Sequence, residues 1–246
     1  MAKRSVGRRK AQAPSLGEAI YGRLKRDIVS CLFVPGESCS ESQLAGHYRV
    51  SKAPIRWALA ALSRERLVIA RPRQGYTVAP LTIESVNEVF DVRLILEPAA
   101  ARMAAGRADI ALLREIQTRI AARWKRGDRR SERRWIEANI AFHIEITRAA
   151  GNERLTRIAA TLLEESQRTM HLLTFVFDGA RPMGRDHDDL IDALARGDGG
   201  AAEEVARRHL EYSRRLMMDT LLGNATIRRA AIGSRDAVAA LDLARR

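Results

Sequence analysis

The chain has 246 residues, enough for one large or two modest domains with a real core. Its 46% apolar content excludes a disordered chain, and its two cysteines, Cys31 and Cys39, form neither a disulfide framework nor a CxxC zinc signature. The formal net charge is +13, and it is unevenly spread. Residues 1–80 hold 15 Lys and Arg against 5 Asp and Glu, residues 81–222 hold 23 of each, and the last 24 hold 5 against 2. A basic N-terminal third on a neutral body points to a polyanion-binding module joined to something else. An arginine-rich genome would raise Arg everywhere, but it would not confine the acidic counterweight to positions after 80. No apolar run approaches the roughly 20 residues of a membrane span, and the basic start lacks the apolar stretch of a secretory signal. The expectation is a cytoplasmic protein without a membrane partner.

In chain order, residues 1–14 read as a basic arm, with Lys3, Arg4, Arg8, Arg9 and Lys10 and no periodic apolar face. Leu16, Ala19, Ile20, Leu24 and Ile28 then follow helical spacing up to the turn signal Pro35-Gly36. A short helix opens at Ser40, with Gln43 three residues on completing a capping box. Another opens at Ser51, a good N-cap, with Pro54 in the first turn, and turns Ile55, Ala58, Leu59 and Leu62 inward to about Arg66. Two β-prone runs, Leu67–Ala70 and Tyr76–Ala79, flank Arg71-Pro72-Arg73-Gln74-Gly75, a hairpin with a basic tip. Helix, short helix, turn, helix and hairpin within 15–80 is the order of a winged helix-turn-helix.

After Pro80 the chain becomes helix-periodic, near 82–105, 109–126, 129–150, 152–177, 184–196 and 200–222. Pro98 is expected to kink the first segment. Breaks fall at Gly106, Gly127-Asp128, Gly151-Asn152, Asp178–Gly184 and Gly197–Gly200. The expected fold is mainly α, a winged helix-turn-helix followed by an all-α bundle of six or seven helices. In this reading 81–222 form a second, helical domain and 223–246 a tail.

The second helix of a helix-turn-helix enters the major groove N-terminus first. Here Lys52 and Arg56 are four apart and share a face, and Arg56 suits bidentate contact with guanine. Ser51, the free N–H groups beside it and Gln43 suit phosphates. Arg71, Arg73 and Gln74 with Gly75 suit an adjacent minor groove or backbone.

Residues 16–80 resemble the DNA-binding domain of GntR-superfamily regulators. The resemblance is carried by Ser51-Lys52-Ala53-Pro54-Ile55-Arg56-Trp57-Ala58-Leu59, the family's pattern of Ser, a basic residue, Pro, an aliphatic residue, Arg and Ala-Leu. Arg49-Val50 replaces the usual Gly-Val, Lys52 stands where Arg is commoner, Ala53 where Thr is usual and Trp57 where Glu is usual. Lys52 therefore offers a point charge in place of a bidentate fork. The resemblance implies a double-stranded DNA operator as partner.

In the second region Asn139 and His143 are four apart, about 40° apart on one helix face. His187 lies near the start of the next-to-last helix and His209 midway along the last, and the short 197–200 connection makes those helices antiparallel neighbours. Three imidazoles and an amide oxygen can then converge inside the bundle, a set suited to a divalent transition metal. The ordinary alternative is three partly buried, satisfied histidines. His171 has no assigned role.

Residues 82–222 also resemble the FCD domain of the FadR branch of those regulators. The carrying motifs are Val92-Arg93-Leu94-Ile95-Leu96-Glu97-Pro98, Asn139-x-x-Phe142-His143, Ala149-Ala150-Gly151-Asn152, His187-x-x-Leu190-Ile191-x-Ala193-Leu194 and His209-Leu210. The resemblance implies one divalent metal per chain, Zn or Ni foremost, on Asn139, His143, His187 and His209. It further implies a small carboxylate effector held with the metal's help, and it sets this chain apart from the branch's fatty-acyl-CoA binders, which lack the histidines. It also implies that Arg93 points into the cavity, where it can clamp a carboxylate; a salt bridge to Glu97 is the alternative.

The combined expectation is a dimeric, ligand-responsive regulator, a repressor released from a palindromic operator, and not an enzyme. A His-site metalloenzyme with an appended basic domain is the competing reading, but no HExxH, nucleophile elbow or glycine-rich phosphate loop is present. A nonspecific nucleic-acid binder would have no use for the neutral bundle and would show a steep salt slope without sequence preference.

Overall fold

The computed structural model describes residues 14–122, 124–125, 127–176 and 185–223. The expected arm up to residue 13, the 178–184 break and the tail beyond 223 lie outside these residues. The chain forms two compact units, one of residues 1–26 and 38–77 and the other of 27–37 and 78–246.

The first unit holds most of α1 (Leu16–Val29), then β1 (Ser38–Cys39), α2 (Glu41–Tyr48), α3 (Lys52–Arg64), β2 (Val68–Arg71) and nearly all of β3 (Gly75–Val78). Of the positions read from periodicity, Ile20, Leu24, Ile55, Ala58, Leu59 and Leu62 are each almost wholly buried, as is Leu44, while Leu16 and Ala19 at the start of α1 are exposed. α3 packs on α2 and on β2. Ser40 and Gln43 cap α2 reciprocally. The strands form a three-stranded sheet in the order β1-β3-β2. β1 was not expected. It pairs antiparallel with β3, Ser38 opposite Thr77 and Cys39 opposite Tyr76, and two residues are too few to show a period of two.

Within the first unit, Ser51 occupies the N-cap of α3, as read from the sequence, but its side chain makes no capping bond. An N-cap oxygen takes the N–H of the second or third helical residue. The third residue of α3 is Pro54, which has none.

The second unit contains α4 (Ile83–Ala104), α5 (Ile110–Ala121), α6 (Arg129–Ala149), α7 (Glu153–Val176), α8 (Arg185–Ala195) and α9 (Gly199–Gly223). α4 runs on through Pro98 as one element. It packs along α9 and also touches α6 and α7, while α5 lies against α6 and α8, and α8 against α9. Gly199 eases the approach of α9 to α4, since a Cβ there would lie 3.0 Å from the Arg102 carbonyl oxygen and press on it. Phe90, Leu113, Ile136, Phe142, Ile191 and Leu194 fill the core, and Trp124 and Trp135 close one end with ring centroids 4.4 Å apart. No helix among the described residues is long and apolar enough to cross a membrane.

Candidate nucleic-acid interface and metal centre

The start of α3 differs from those of α2, α4, α5 and α6. In the latter the side chain of Ser40, Thr82, Asp109 or Asp128 accepts the first free N–H groups. At α3 the Ser51 hydroxyl and the N–H groups of Lys52 and Ala53 are not used for a side-chain cap, which suits a phosphate oxygen. Lys52 is exposed, as is Arg56, whose side chain is 65% accessible. The Arg56 Nε donates to Glu41 Oε2 at 2.7 Å, which leaves both terminal nitrogens, the pair that reads guanine. Glu41 is a partner the sequence reading missed. It lies fifteen residues away, on another helix, and no local spacing signals it.

Gln43 is exposed, and its amide oxygen accepts from Ser40 N and Oγ, so its amide nitrogen is the end that can reach a phosphate. Arg71, Arg73 and Gln74 are exposed at the hairpin tip, closed by Gln74 N donating to Arg71 O at 3.0 Å. Gly75 has φ +88, and a Cβ there would meet the Cys39 carbonyl oxygen at 2.8 Å, so only glycine lets the wing close on β1. Trp57 packs edge-on against Tyr21 and over Gly17, and stays 46% exposed.

In the second unit α6, α8 and α9 bring His143, His187 and His209 together, all buried, with one ligand atom from each within 4.8 Å of the others. Each ring turns its second nitrogen toward an oxygen. His143 Nδ1 lies 2.8 Å from Glu97 Oε2 on α4 and His187 Nδ1 3.1 Å from Gln117 Oε1 on α5. His209 Nδ1 lies 3.7 Å from Asp186 Oδ2 on α8, an ion contact longer than a hydrogen bond. For His143 and His187 such an oxygen fixes the tautomer and aims the other nitrogen at a metal, while His209 Nδ1 has no hydrogen-bond partner among the described residues. Phe142 stacks on His187, with centroids 4.2 Å apart, and stiffens the ring. None of the three oxygens was read from the sequence as a partner of its histidine, because each meets the ring only through helix packing.

Burial lowers the pKa of His143 against the opposing pull of Glu97, and lowers His187 further, with the neighbouring rings adding to the effect. Both are therefore neutral near pH 7, the form that binds metals. Burial alone would raise the Glu97 carboxyl, but the Arg93 guanidinium and then His143 hold it well below the ordinary carboxylate range. Arg93 is itself buried. Its Nε donates to Glu97 Oε1 at 2.5 Å, its Nη2 to Oε2 at 3.4 Å and its Nη1 to Ser166 Oγ at 3.2 Å. The pair with Glu97, the alternative weighed from sequence, is thus present. Glu97→Ala leaves Arg93 buried without its anion, and is expected to lower unfolding stability by about 3–5 kcal/mol in urea denaturation.

The donor set fits a metal. Two ligand nitrogens, His187 Nε2 and His209 Nε2, are 3.3 Å apart. Two metal–nitrogen bonds of about 2.0–2.1 Å at a near-tetrahedral angle give that separation. The Asn139 Oδ1, buried one turn before His143 on α6, has no hydrogen-bond partner among the described residues, and an orphaned buried oxygen calls for a cation or a donor.

Comparison with known proteins agrees with this architecture. The FCD domain profile matches residues 88–212, and the profile of bacterial regulatory proteins of the gntR family matches residues 16–78. The chain is 28% identical over 200 residues to the HTH-type transcriptional repressor RspR of Escherichia coli (strain K12), covering 80% of this chain and 86% of that one. It is 25% identical over 214 residues to the HTH-type transcriptional repressor GlaR of the same strain, covering 83% and 96%. Among solved structures, E. coli McbR/YncC shares the fold with a TM-score of 0.71 at 21% identity, over 84% of this chain and 98% of that one. The chain therefore belongs to the gntR family of bacterial regulatory proteins, as a transcriptional regulator that joins a DNA-binding helix-turn-helix to an FCD domain.

Proposed function

We propose that this regulator is a metal-dependent, ligand-responsive repressor, released from a palindromic operator by a small carboxylate. The convergence of three buried imidazoles carries the reading, since His143 and His187 are each held from behind by an oxygen and an orphaned amide oxygen lies on the same helix as His143. Asn139, His143, His187 and His209 would hold one divalent transition metal per chain, Zn or Ni by donor type. When bound, the metal supplies a Lewis-acid centre, and its charge is not cancelled by these four neutral ligands. The Glu97 charge is already matched by Arg93, so a net positive site remains to attract an anion. Arg93 would assist through Nη1, whose partner is the uncharged Ser166 hydroxyl.

On the DNA, Lys52 and Arg56 would read bases in the major groove. Ser51 and Gln43 would hold phosphates, and Arg71, Arg73 and Gln74, with Gly75 shaping the turn, would contact the neighbouring backbone. A two-fold homodimer in the cytoplasm would place two such units on half-sites about one helical turn apart. Release requires the carboxylate to bind the DNA-incompetent state better; about a 100-fold preference corresponds to about 2.7 kcal/mol of coupling. The names of RspR and GlaR support repression as the sign.

The test is operator binding by metal-loaded protein, with the operator selected from random duplexes by the protein itself. Titration with acetate, lactate, malonate, succinate or citrate is expected to weaken binding for at least one of them, and metal-stripped protein is expected not to respond. A response that survives stripping would contradict the metal's role.

A further inference from the structure

The charge balance of residues 81–222 conceals a local excess. Residues 123–134 alone carry seven Lys and Arg against two Asp and Glu, so in the rest of that region acidic residues outnumber basic ones 21 to 16. The excess gathers at the start of α6. Arg129, Arg130, Arg133 and Arg134 fall within six residues, all exposed, with exposed Lys125 just before them. At 100° per residue the four arginines cover about 140° of the helix surface, while Trp135 and Ile136 turn into the core.

This placement opposes local stability. Cations at a helix N-terminus meet the positive end of the macrodipole, and the pairs 129/133 and 130/134 set like charges four residues apart. The two local acids are engaged with the backbone. Asp128 accepts from Arg130 N and Ser131 N, and Glu132 accepts from Gly127 N at 3.0 Å. Arg134 lies near enough to Asp128 to help lower its carboxyl, after the bonds from Ser131 and Arg130. The remaining arginines have no ion pair among the described residues. Elsewhere in this unit Arg102 and Arg207 pair with Glu203, Arg114 with Asp192, Arg148 with Glu145, Arg208 with Asp189 and Arg214 with Asp91. Exposed Arg107, Arg119, Arg154, Arg157, Arg196 and Arg215 have no ion pair among the described residues, but are spread over five helices and loops rather than gathered at one. What sets this helix end apart is density: four exposed arginines within six residues, beside two acids that are both bonded to the backbone. A local conflict of this kind, with no compensating gain in the fold, marks a functional surface.

We propose that the basic start of α6 is a second DNA-contacting surface, which binds the phosphate backbone without regard to sequence. Guanidinium groups suit phosphate oxygens by their fork geometry, and the chain is already a DNA-binding regulator, so duplex DNA is the polyanion at hand. The surface adds affinity and salt dependence and leaves base discrimination to α3.

The experiment uses the full chain carrying Arg129→Gln, Arg130→Gln, Arg133→Gln and Arg134→Gln together. Its binding to a long random-sequence duplex is measured by fluorescence anisotropy between 50 and 200 mM salt. Each lost phosphate contact removes about 0.9 from the slope of log K on log salt, so the slope is expected to become shallower by about 3–4. The ratio of operator to random binding should stay the same, and Tm should hold or rise as the repulsion is relieved. An unchanged slope overturns the proposal. So does a sharply lowered Tm, which would make the arginines structural. Loss of binding to phosphatidylglycerol vesicles with DNA binding intact would also overturn it, in favour of a membrane surface. Lys52→Ala with Arg56→Ala serves as the control: if this pair abolishes discrimination while the slope of the Gln variant is unchanged, only the α6 surface fails and the α3 reading stands.

Discussion

Arg56→Ala is expected to leave a folded protein that no longer separates its operator from random duplex. The Arg56 side chain is largely exposed and its ion pair with Glu41 lies at the surface, so its removal touches little of the fold. A bidentate arginine–guanine contact contributes about 1–3 kcal/mol of discrimination, or about 5- to 150-fold per half-site, and two half-sites compound it. Binding to random duplex should fall far less, because one lost cation changes only the nonspecific electrostatic part. Competition between the selected operator and a shuffled duplex measures this directly. An unchanged operator-to-shuffled ratio would remove Arg56 from the reading surface.

The second large effect is expected from His143→Ala combined with His209→Ala. Both rings are buried, and together they remove two of the three nitrogens that converge, including one of the pair 3.3 Å apart. Metal should fall from near one per chain to near zero after dialysis, as read by elemental analysis. In wild-type protein, free metal at about 100 times its Kd adds about 2.7 kcal/mol of stability. For a chain of this size that is a rise in Tm of roughly 5–10 °C, and the double variant should not show it. His171→Ala is the control and should keep both metal and shift. Retained stoichiometric metal in the double variant would place the ion elsewhere.

Much of the fold could be read in the sequence wherever a period or a cap wrote it locally. The helices of the bundle follow from apolar spacing of 3.6, and the Ser40–Gln43 box marks the start of α2 to the residue. Two residues of β1 carry no period, and their pairing is set by the approach of Gly75 to Cys39. At Ser51 the missing N–H of Pro54 removes one of the two backbone donors an N-cap hydroxyl can use, and the Ser51 side chain does not take the other, from Ala53.

The histidines were visible as candidates because the antiparallel α8–α9 pair could be inferred from a short connection. The groups behind them could not. Glu97, Gln117 and Asp186 stand on other helices and meet their rings only by packing, and Asp186 neighbours His187 in sequence yet faces His209. The basic start of α6 was hidden for a different reason, since averaging charge over 81–222 cancelled it against acidic residues elsewhere.

The most direct measurement is the Tm of chelated, Zn-reloaded and Ni-reloaded protein, each with and without the five carboxylates named above. The metal-centred account predicts that reloading raises Tm, and that at least one carboxylate raises it further in reloaded protein while leaving chelated protein unmoved. Equal carboxylate shifts with and without metal, or no response to either metal, would contradict it and return His143, His187 and His209 to the lining of an ordinary core.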